Sequence, residues 1–201
     1  MQRRAAQWTV LGCSLIVSLL PACGHTELED AQPGPETASD ILFLDPEPDP
    51  STTAPWWGPV RIDLDQDSMV DVELHVLYTE DSSTPWPEPL WGTRAVAADS
   101  AVRITAGTIG GGYLPLLEGD PIDNDLTWSS AITFHQEVSG GGITGLWPTP
   151  TTGYIGVERL VNGAAHRGWV SVRTEASSIA YRSSGFQRGG GAMIGAGEAG
   201  Q

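Results

Sequence analysis

The chain has 201 residues, with 25 acidic side chains against 10 basic ones and a formal net charge of −15. Every basic residue is an arginine, because the sequence contains no lysine. A chain this anionic repels nucleic-acid phosphates, which excludes DNA and RNA as partners and favours cations or basic partners.

Residues 1–22 have the organisation of an export signal. Arg3 and Arg4 form a positive end, and the apolar run from Trp8 to Leu20 is too short to span a membrane as a mature helix. We expect this segment to be removed. The remaining chain then carries 8 arginines against 25 acids, a net charge of −17.

The signal ends in Leu20-Pro21-Ala22-Cys23, which resembles a bacterial lipobox. The resemblance implies that Cys23 becomes the first mature residue and carries a lipid, so the protein is expected on the bacterial envelope, anchored in the outer membrane or at the cell surface. The alternative is an ordinary signal cleaved near Ala22, with Cys23 as a stray thiol. Lipidation is favoured because the only other cysteine, Cys13, lies inside the signal, so Cys23 would have no disulfide partner after the signal is removed.

Residues 23–54 are predicted to form a flexible acidic linker. They are rich in Pro, Glu, Asp, Thr and Ser, and they offer few side chains that could fill a core. Only the run from Ile41 to Leu44 has the character of a strand, which would dock on the folded domain. The charge of the linker would hold the domain away from an anionic lipid surface.

The most informative stretch is Ile62 to Leu74, IDLDQDSMVDVEL, where acidic side chains recur with only Arg61 nearby to offset them. Carboxylates at loop positions 1, 3, 5 and 9 with a carbonyl at position 7 are an oxygen set that wraps Ca²⁺. We therefore predict a structural calcium site with ligands from Asp63, Asp65, Asp67, the Met69 carbonyl and Asp71. The alternative is a solvated acidic turn, although carboxylates this close raise one another's pKa unless a cation is present.

This loop resembles the calcium loops of dockerins, integrin-type FG-GAP repeats and many secreted bacterial β proteins. It departs from an EF-hand at position 6, which is Ser68 where Gly is usual, and at position 12, which is Leu74 where a bidentate Glu is usual. The residues from Val70 to Tyr78 alternate with the period of a strand. A loop that runs directly into a strand is thus expected, and a helix-loop-helix is not.

Residues 55–187 are predicted to form one all-β domain, an antiparallel β-sandwich of jelly-roll type. Short runs rich in Val, Ile, Trp and Tyr are separated by Gly, Pro, Asn and Asp. The predicted strands are Val60 to Leu64, Val70 to Tyr78, Arg94 to Ala97, Val102 to Ala106, Ala131 to Val138, Tyr154 to Val161, Gly168 to Thr174 and Ser178 to Arg182. The Gly-rich residues 188–201 have little to pack, and their end is expected to fray.

The clearest supersecondary unit is YIGVERLVNGAAHRGWVSVR, from Tyr154 to Arg173. Asn162-Gly163 is a strong turn signal, and it predicts a hairpin whose loop is slightly longer than two residues. Together with the acidic loop, Ala180-Tyr181 and the final Ile194-Gly195-Ala196-Gly197, this unit resembles secreted bacterial β-sandwich proteins, which often carry PEP-CTERM or type IX sorting tails. The resemblance implies a β-sandwich fold and export from the cell, and it implies no catalytic reaction.

Residues for chemistry are sparse. His25, His75, His135 and His166 show no metal-ligand spacing, and no Gly-x-Ser-x-Gly is present. We therefore predict a protein that is not an enzyme. A glycan-active hydrolase is the weaker alternative, because a suitable pair of carboxylates is not visible from sequence.

Tryptophans offer a binding alternative. Loop tryptophans on a calcium-bearing sandwich can stack on sugar rings, as in carbohydrate-binding modules, and the candidates are Trp56, Trp57, Trp86 and Trp147. The alternative, which we favour, is that they plug the ends of a small sandwich. A second acidic group, Asp120, Asp123 and Asp125, fits no ligand spacing and is expected to form a turn.

Overall fold

The computed structural model describes residues 41–44, 53–54, 58–81, 85, 88–110, 112–190 and 193–198. This part of the chain contains strands and turns and no helix. The strands are β1 (Ile41–Leu44), β2 (Thr53–Ala54), β3 (Val60–Ile62), β4 (Val72–Asp81), β5 (Glu88–Ala97), β6 (Val102–Thr105), β7 (Gly107–Ile109), β8 (Gly112–Leu114), β9 (Pro121–Ile122), β10 (Ala131–Val138), β11 (Gly142–Thr144), β12 (Thr151–Val161), β13 (Ala164–Glu175), β14 (Ser178–Gln187) and β15 (Ile194–Gly195). The predicted all-β class is confirmed.

Two antiparallel sheets form the body of the fold. One has six strands, in the order β1-β14-β13-β12-β6 with β2 also paired to β14, and the other has five, in the order β11-β10-β5-β4-β3. Two short pairs, β15 with β9 and β7 with β8, complete the described strands. Each predicted strand is present, and β12, β13 and β14 are longer than predicted because their pairing extends to the ends of both hairpins.

The two large sheets pack face to face as a sandwich. Val72 and Leu74 of β4 are fully buried, as are Ile155 and Val157 of β12, and all belong to one apolar cluster. Alternate residues of a strand point to opposite faces. The period of 2 that predicts these strands therefore also selects the face that fills the core.

A second, smaller core covers the outer face of the six-stranded sheet. Trp169 follows the alternation of β13 and points away from the first core, where Val170 lies. It is 1% exposed and packs with Leu116, Ile122 and Ile194, which come from the segment after β8 and from β15. The six-stranded sheet is thus covered on both faces.

The C-terminal segment contributes to that second core, so the prediction that it has little to pack is wrong for residues 193–198. The end that is predicted to fray, residues 199–201, lies outside the described residues. Ile194 pairs with Ile122, and Ala196 is 1% exposed. The Trp169 indole N–H donates to the Glu198 carbonyl at 3.0 Å. Apolar burial and pairing hold this Gly-rich segment in place.

The N-terminal limit of the folded domain also lies earlier than residue 55. Strand β1 pairs with β14 through Ile41↔Gln187 to Leu44↔Ser184, which agrees with a docked strand at this place. Strand β2 pairs with the other end of β14. The rest of the predicted linker, and the predicted signal with Cys23, lie outside the described residues.

The β12–β13 hairpin has a tighter turn than predicted. Val161 pairs with Ala164, so Asn162 and Gly163 alone form the loop. Both have positive φ, 51° and 83°, which is the requirement of a two-residue type I′ turn and the reason that Asn-Gly favours it. The turn fixes the register of the hairpin, in which Arg159 of β12 lies opposite His166 of β13.

Candidate metal centre

The acidic loop connects β3 to β4 and is closed at its base by the Asp71 N–H, which donates to the Ile62 carbonyl at 2.8 Å. Within it, Gln66 and Ser68 adopt left-handed φ values of 61° and 73°. A non-Gly residue there is held at a cost of about 1 to 2 kcal/mol. These two left-handed residues curl the chain around the loop carboxylates, and the hydrogen bonds of the loop hold them in this conformation.

Backbone N–H groups orient those carboxylates. The Ser68 N–H donates to Asp63 Oδ2 at 2.8 Å, and the Leu64 N–H donates to Asp71 Oδ2 at 2.7 Å. The Met69 N–H donates to Asp67 Oδ1 at 2.8 Å. In each case the backbone binds one oxygen of the carboxylate and leaves the other available to a different partner.

Three of the five predicted ligands converge. Asp63, Asp65 and Asp71 each offer a carboxylate oxygen, and these oxygens lie within 4.8 Å of one another. Asp63 Oδ1 is buried without a hydrogen-bond partner in the described part of the chain. An all-oxygen cluster of this kind suits a hard cation, so the cluster has the composition of a metal site.

The other two predicted ligands lie further out. The Asp67 side chain is 40% exposed, and Met69 is 56% exposed. Asp67 remains connected to the cluster through a shared cationic neighbour, described next.

Arg159 reaches this cluster from β12. Its Nη1 lies 2.8 Å from Asp65 Oδ2 and 3.0 Å from Asp71 Oδ1, and its Nη2 lies 2.9 Å from Asp67 Oδ2. The Arg159 side chain is 12% exposed. The sequence shows only Arg61 nearby to offset the aspartates, but an arginine distant in sequence supplies one positive charge in the folded chain.

Sequence reasoning missed Arg159 because nothing local connects it to the loop. Arg61, the one nearby cation in sequence, points instead to Glu73 at 3.1 Å. The only signal for Arg159 is its position at the end of a strand beside the Asn-Gly turn, and that signal indicates exposure rather than an ion pair.

Burial and hydrogen bonds shift the carboxyl groups in different directions. Burial raises the pKa of Asp71 to about 6, despite the Leu64 N–H and the Arg159 charge, which favour the carboxylate. Burial also raises the pKa of Asp65, with Arg159 opposing. The pKa of Asp67 is lowered, mainly by the Met69 N–H. Asp71 is thus a carboxylate whose charge the loop does not fully compensate.

Of the four predicted sugar-stacking residues, the structure describes Trp147 alone. Trp147 is 2% exposed and packs edge-on against Phe134, with ring centroids 4.5 Å apart. It fills the main core, so its assignment as a stacking residue is wrong in this conformation and the alternative of a plug holds. Trp56, Trp57 and Trp86 lie outside the described residues.

The second acidic group forms turns, as expected from its spacing. Asp120 Oδ2 accepts the Leu117 N–H at 2.8 Å, and Asp123 Oδ1 accepts the Asp125 N–H at 2.9 Å. Among the described residues, the cluster of Asp63, Asp65 and Asp71 is the one arrangement with the convergence of a metal site.

Comparisons with protein-family models, with curated proteins and with solved structures gave no match for this chain. The resemblances to lipoproteins and to secreted bacterial β proteins therefore stay predictions. In the described part of the chain, no helix has the length and apolar character needed to cross a membrane.

Proposed function

We propose that this chain is a non-catalytic lipoprotein of the bacterial envelope whose β-sandwich is stabilised by Ca²⁺ in the loop before β4. The observation that carries the calcium site is the convergence of Asp63, Asp65 and Asp71, with Asp63 Oδ1 buried and lacking a hydrogen-bond partner among the described residues. Such an oxygen is oriented by the backbone and has no proton donor to satisfy it. A divalent ion would satisfy it.

The charge of the loop supports the same proposal. Four aspartates, Asp63, Asp65, Asp67 and Asp71, share the loop with two guanidinium groups: Arg159 pairs with three of the carboxylates, and Arg188 Nη2 donates to the Asp65 carbonyl at 3.4 Å. The loop therefore retains negative charge after both arginines are counted. Ca²⁺ takes carboxylate and carbonyl oxygens at about 2.3 to 2.6 Å. Asp63, Asp65 and Asp71 would provide the inner ligands, and small movements would add Asp67 and the Met69 carbonyl.

A structural role suits the position of the loop. It connects strands of the five-stranded sheet, and in the described part of the chain the hydrogen bonds of its carboxylates come from backbone N–H groups and Arg159, with no histidine ring or serine hydroxyl among the donors. Metal-assisted hydrolysis needs an activated water and a group that positions substrate beside the ion. The ion would therefore act on stability.

The envelope location is proposed from the sequence alone. The basic and apolar N-terminal segment and the lipobox-like residues ending in Cys23 support export and lipid attachment. A glycan-binding role is the alternative. It now depends on Trp56, Trp57 and Trp86, since Trp147 is buried.

Thermal unfolding of residues 24–201 in calcium and in EDTA tests the calcium proposal. An ion that binds only the folded chain raises the midpoint, by the equivalent of about 2.7 kcal/mol when its concentration is 100 times the Kd. Affinity in the range of extracellular modules, with Kd of about 10⁻⁴ to 10⁻³ M, is expected.

A matched pair of variants gives the control. Asp65→Asn should abolish the response, whereas Asp123→Asn removes the same charge from the second acidic turn and should leave it intact. An unchanged midpoint of the wild-type chain in 10 mM calcium would refute the proposal.

A further inference from the structure

We propose that Arg159 is a built-in counter-ion that competes with the divalent ion for the loop, holding the carboxylates in the ion-free chain and withdrawing when the ion binds. This inference rests on the calcium site proposed above and concerns its regulation. It assigns to β12 a role in setting the affinity of a loop that belongs to the other sheet.

The guanidinium occupies the ligand groups themselves. Nη1 contacts Asp65 Oδ2 and Asp71 Oδ1, at 2.8 and 3.0 Å, and both aspartates belong to the convergent cluster. A calcium ion bound to the same oxygens at about 2.3 to 2.6 Å would lie against the guanidinium. Two cations at that separation repel strongly in a partly buried site. The ion and Arg159 therefore exclude each other from Asp65 and Asp71.

Arg159 does not complete the site. It makes no described contact with Asp63, whose Oδ1 is buried and lacks a partner in this part of the chain. A planar guanidinium offers its donors in one plane, whereas a calcium ion gathers ligands around itself. The arginine thus binds one side of the cluster and leaves Asp63 Oδ1 as an acceptor that a divalent ion can use.

The Arg159 side chain lies close to solvent, so it can leave the carboxylates. Arg159 lies near the end of β12, and the next two residues, Leu160 and Val161, are 43% and 36% exposed. Asp67 Oδ2, which Nη2 contacts, belongs to a side chain that is 40% exposed. A long, flexible arginine near the end of a strand can leave the carboxylates and become solvated by rotamer changes alone, with no rearrangement of the strand.

The competition has a structural consequence. Arg159 belongs to the six-stranded sheet and the loop to the five-stranded sheet, so its ion pairs tie the sheets together at this end. In the ion-free chain this tie keeps the loop close to its binding geometry. Calcium would replace the tie, so its net stabilisation is smaller than in a chain without Arg159.

Calorimetric titration with CaCl₂ of the wild type, Arg159→Gln and Arg61→Gln tests the proposal. Arg159→Gln should bind calcium about tenfold more tightly, because the competitor is gone, and its unfolding midpoint in EDTA should be lower. Arg61→Gln removes the same charge from a pair with Glu73 and should bind like the wild type.

The outcomes separate this inference from the calcium site. If the wild type binds calcium and Arg159→Gln binds it equally or more weakly, the competition is refuted and the site stands. If none of the three binds, both proposals fail. If only Arg159→Gln binds, the competition is shown and calcium stabilisation of the natural chain is refuted.

Nuclear magnetic resonance of the ¹⁵N-arginine-labelled wild type supplies a readout that does not depend on the variant folding. The Arg159 guanidinium signals, assigned with Arg159→Lys, should show restricted rotation in EDTA and become freely rotating as calcium is added. Signals that stay restricted at saturating calcium would overturn the proposal.

Discussion

Arg159 Nη1 lies 3.0 Å from Asp71 Oδ1, and this ion pair joins β12 of one sheet to the loop before β4 of the other. The Asp71 side chain is 1% exposed and the Arg159 side chain is 12% exposed. At this end of the sandwich, buried charged groups therefore lie beside apolar side chains of the core such as Leu64. Removing either charge leaves the other partly buried, which makes this end sensitive to pH and to ions.

The contribution of Asp71 to the stability of the ion-free chain should grow as the pH falls from 7 towards 4. Burial raises the pKa of Asp71 to about 6, above the value of about 3.9 for an unfolded chain. The folded state then binds the proton more tightly, so the gain begins near pH 6 and is complete below about pH 4. The gain expected from Asp71 is roughly 2 kcal/mol, measured by urea unfolding in EDTA.

Asp71→Asn isolates this contribution. Asp65 shifts in the same direction as Asp71 and Asp67 in the opposite one, so only the difference between wild type and variant reports Asp71. The variant should lose the gain between pH 7 and pH 4. In calcium the sign reverses, because the ion needs the carboxylate, and the calcium-induced rise in midpoint should shrink below pH 6. A variant with the same pH profile as the wild type would contradict this.

Glu158 should be among the most costly polar residues to replace. It is 1% exposed, and it pairs with Arg103 and with Arg167, which is 2% exposed. Arg167 also donates to Asn124 Oδ1 at 2.6 Å. Glu158→Gln should lower the free energy of unfolding by about 3 to 5 kcal/mol, because the guanidinium of Arg167 stays buried without its carboxylate.

A surface pair provides the comparison for Glu158. Glu175 pairs with Arg173 at 3.2 Å, and both side chains are about half exposed. Glu175→Gln should change the free energy of unfolding by less than about 1 kcal/mol. Similar effects of the two substitutions in denaturant unfolding would show that the Glu158 network does not carry the stability assigned to it.

Trp147 should matter for stability and not for surface binding. Its ring is buried against Phe134, so Trp147→Ala should cost about 3 to 5 kcal/mol by opening a cavity. Ile143→Ala removes a side chain that is 63% exposed and should cost less than about 1 kcal/mol. Trp147→Phe should leave any polysaccharide binding unchanged in a titration, and loss of binding in that variant would restore Trp147 as a stacking residue.

Much of the fold was accessible from local patterns. The period of 2 from Val72 to Tyr78 predicts β4 and its buried face, and Asn162-Gly163 predicts the hairpin of β12 and β13. The aspartates on alternate positions predict a loop whose carboxylates converge. These features depend on neighbours within about ten residues, where strand geometry and turn chemistry operate directly.

The sequence by itself determined the all-β class, the main strands of the two large sheets and the acidic loop. Only the tertiary structure decided that Arg159, between 88 and 94 residues from its aspartates, shares that loop. It also decided that Trp147 is buried and that the Gly-rich C-terminal segment folds onto Trp169. The reason is physical: a local pattern fixes which face of a strand is apolar, whereas the partner of a charge or of a ring depends on which distant strands pair and in which register.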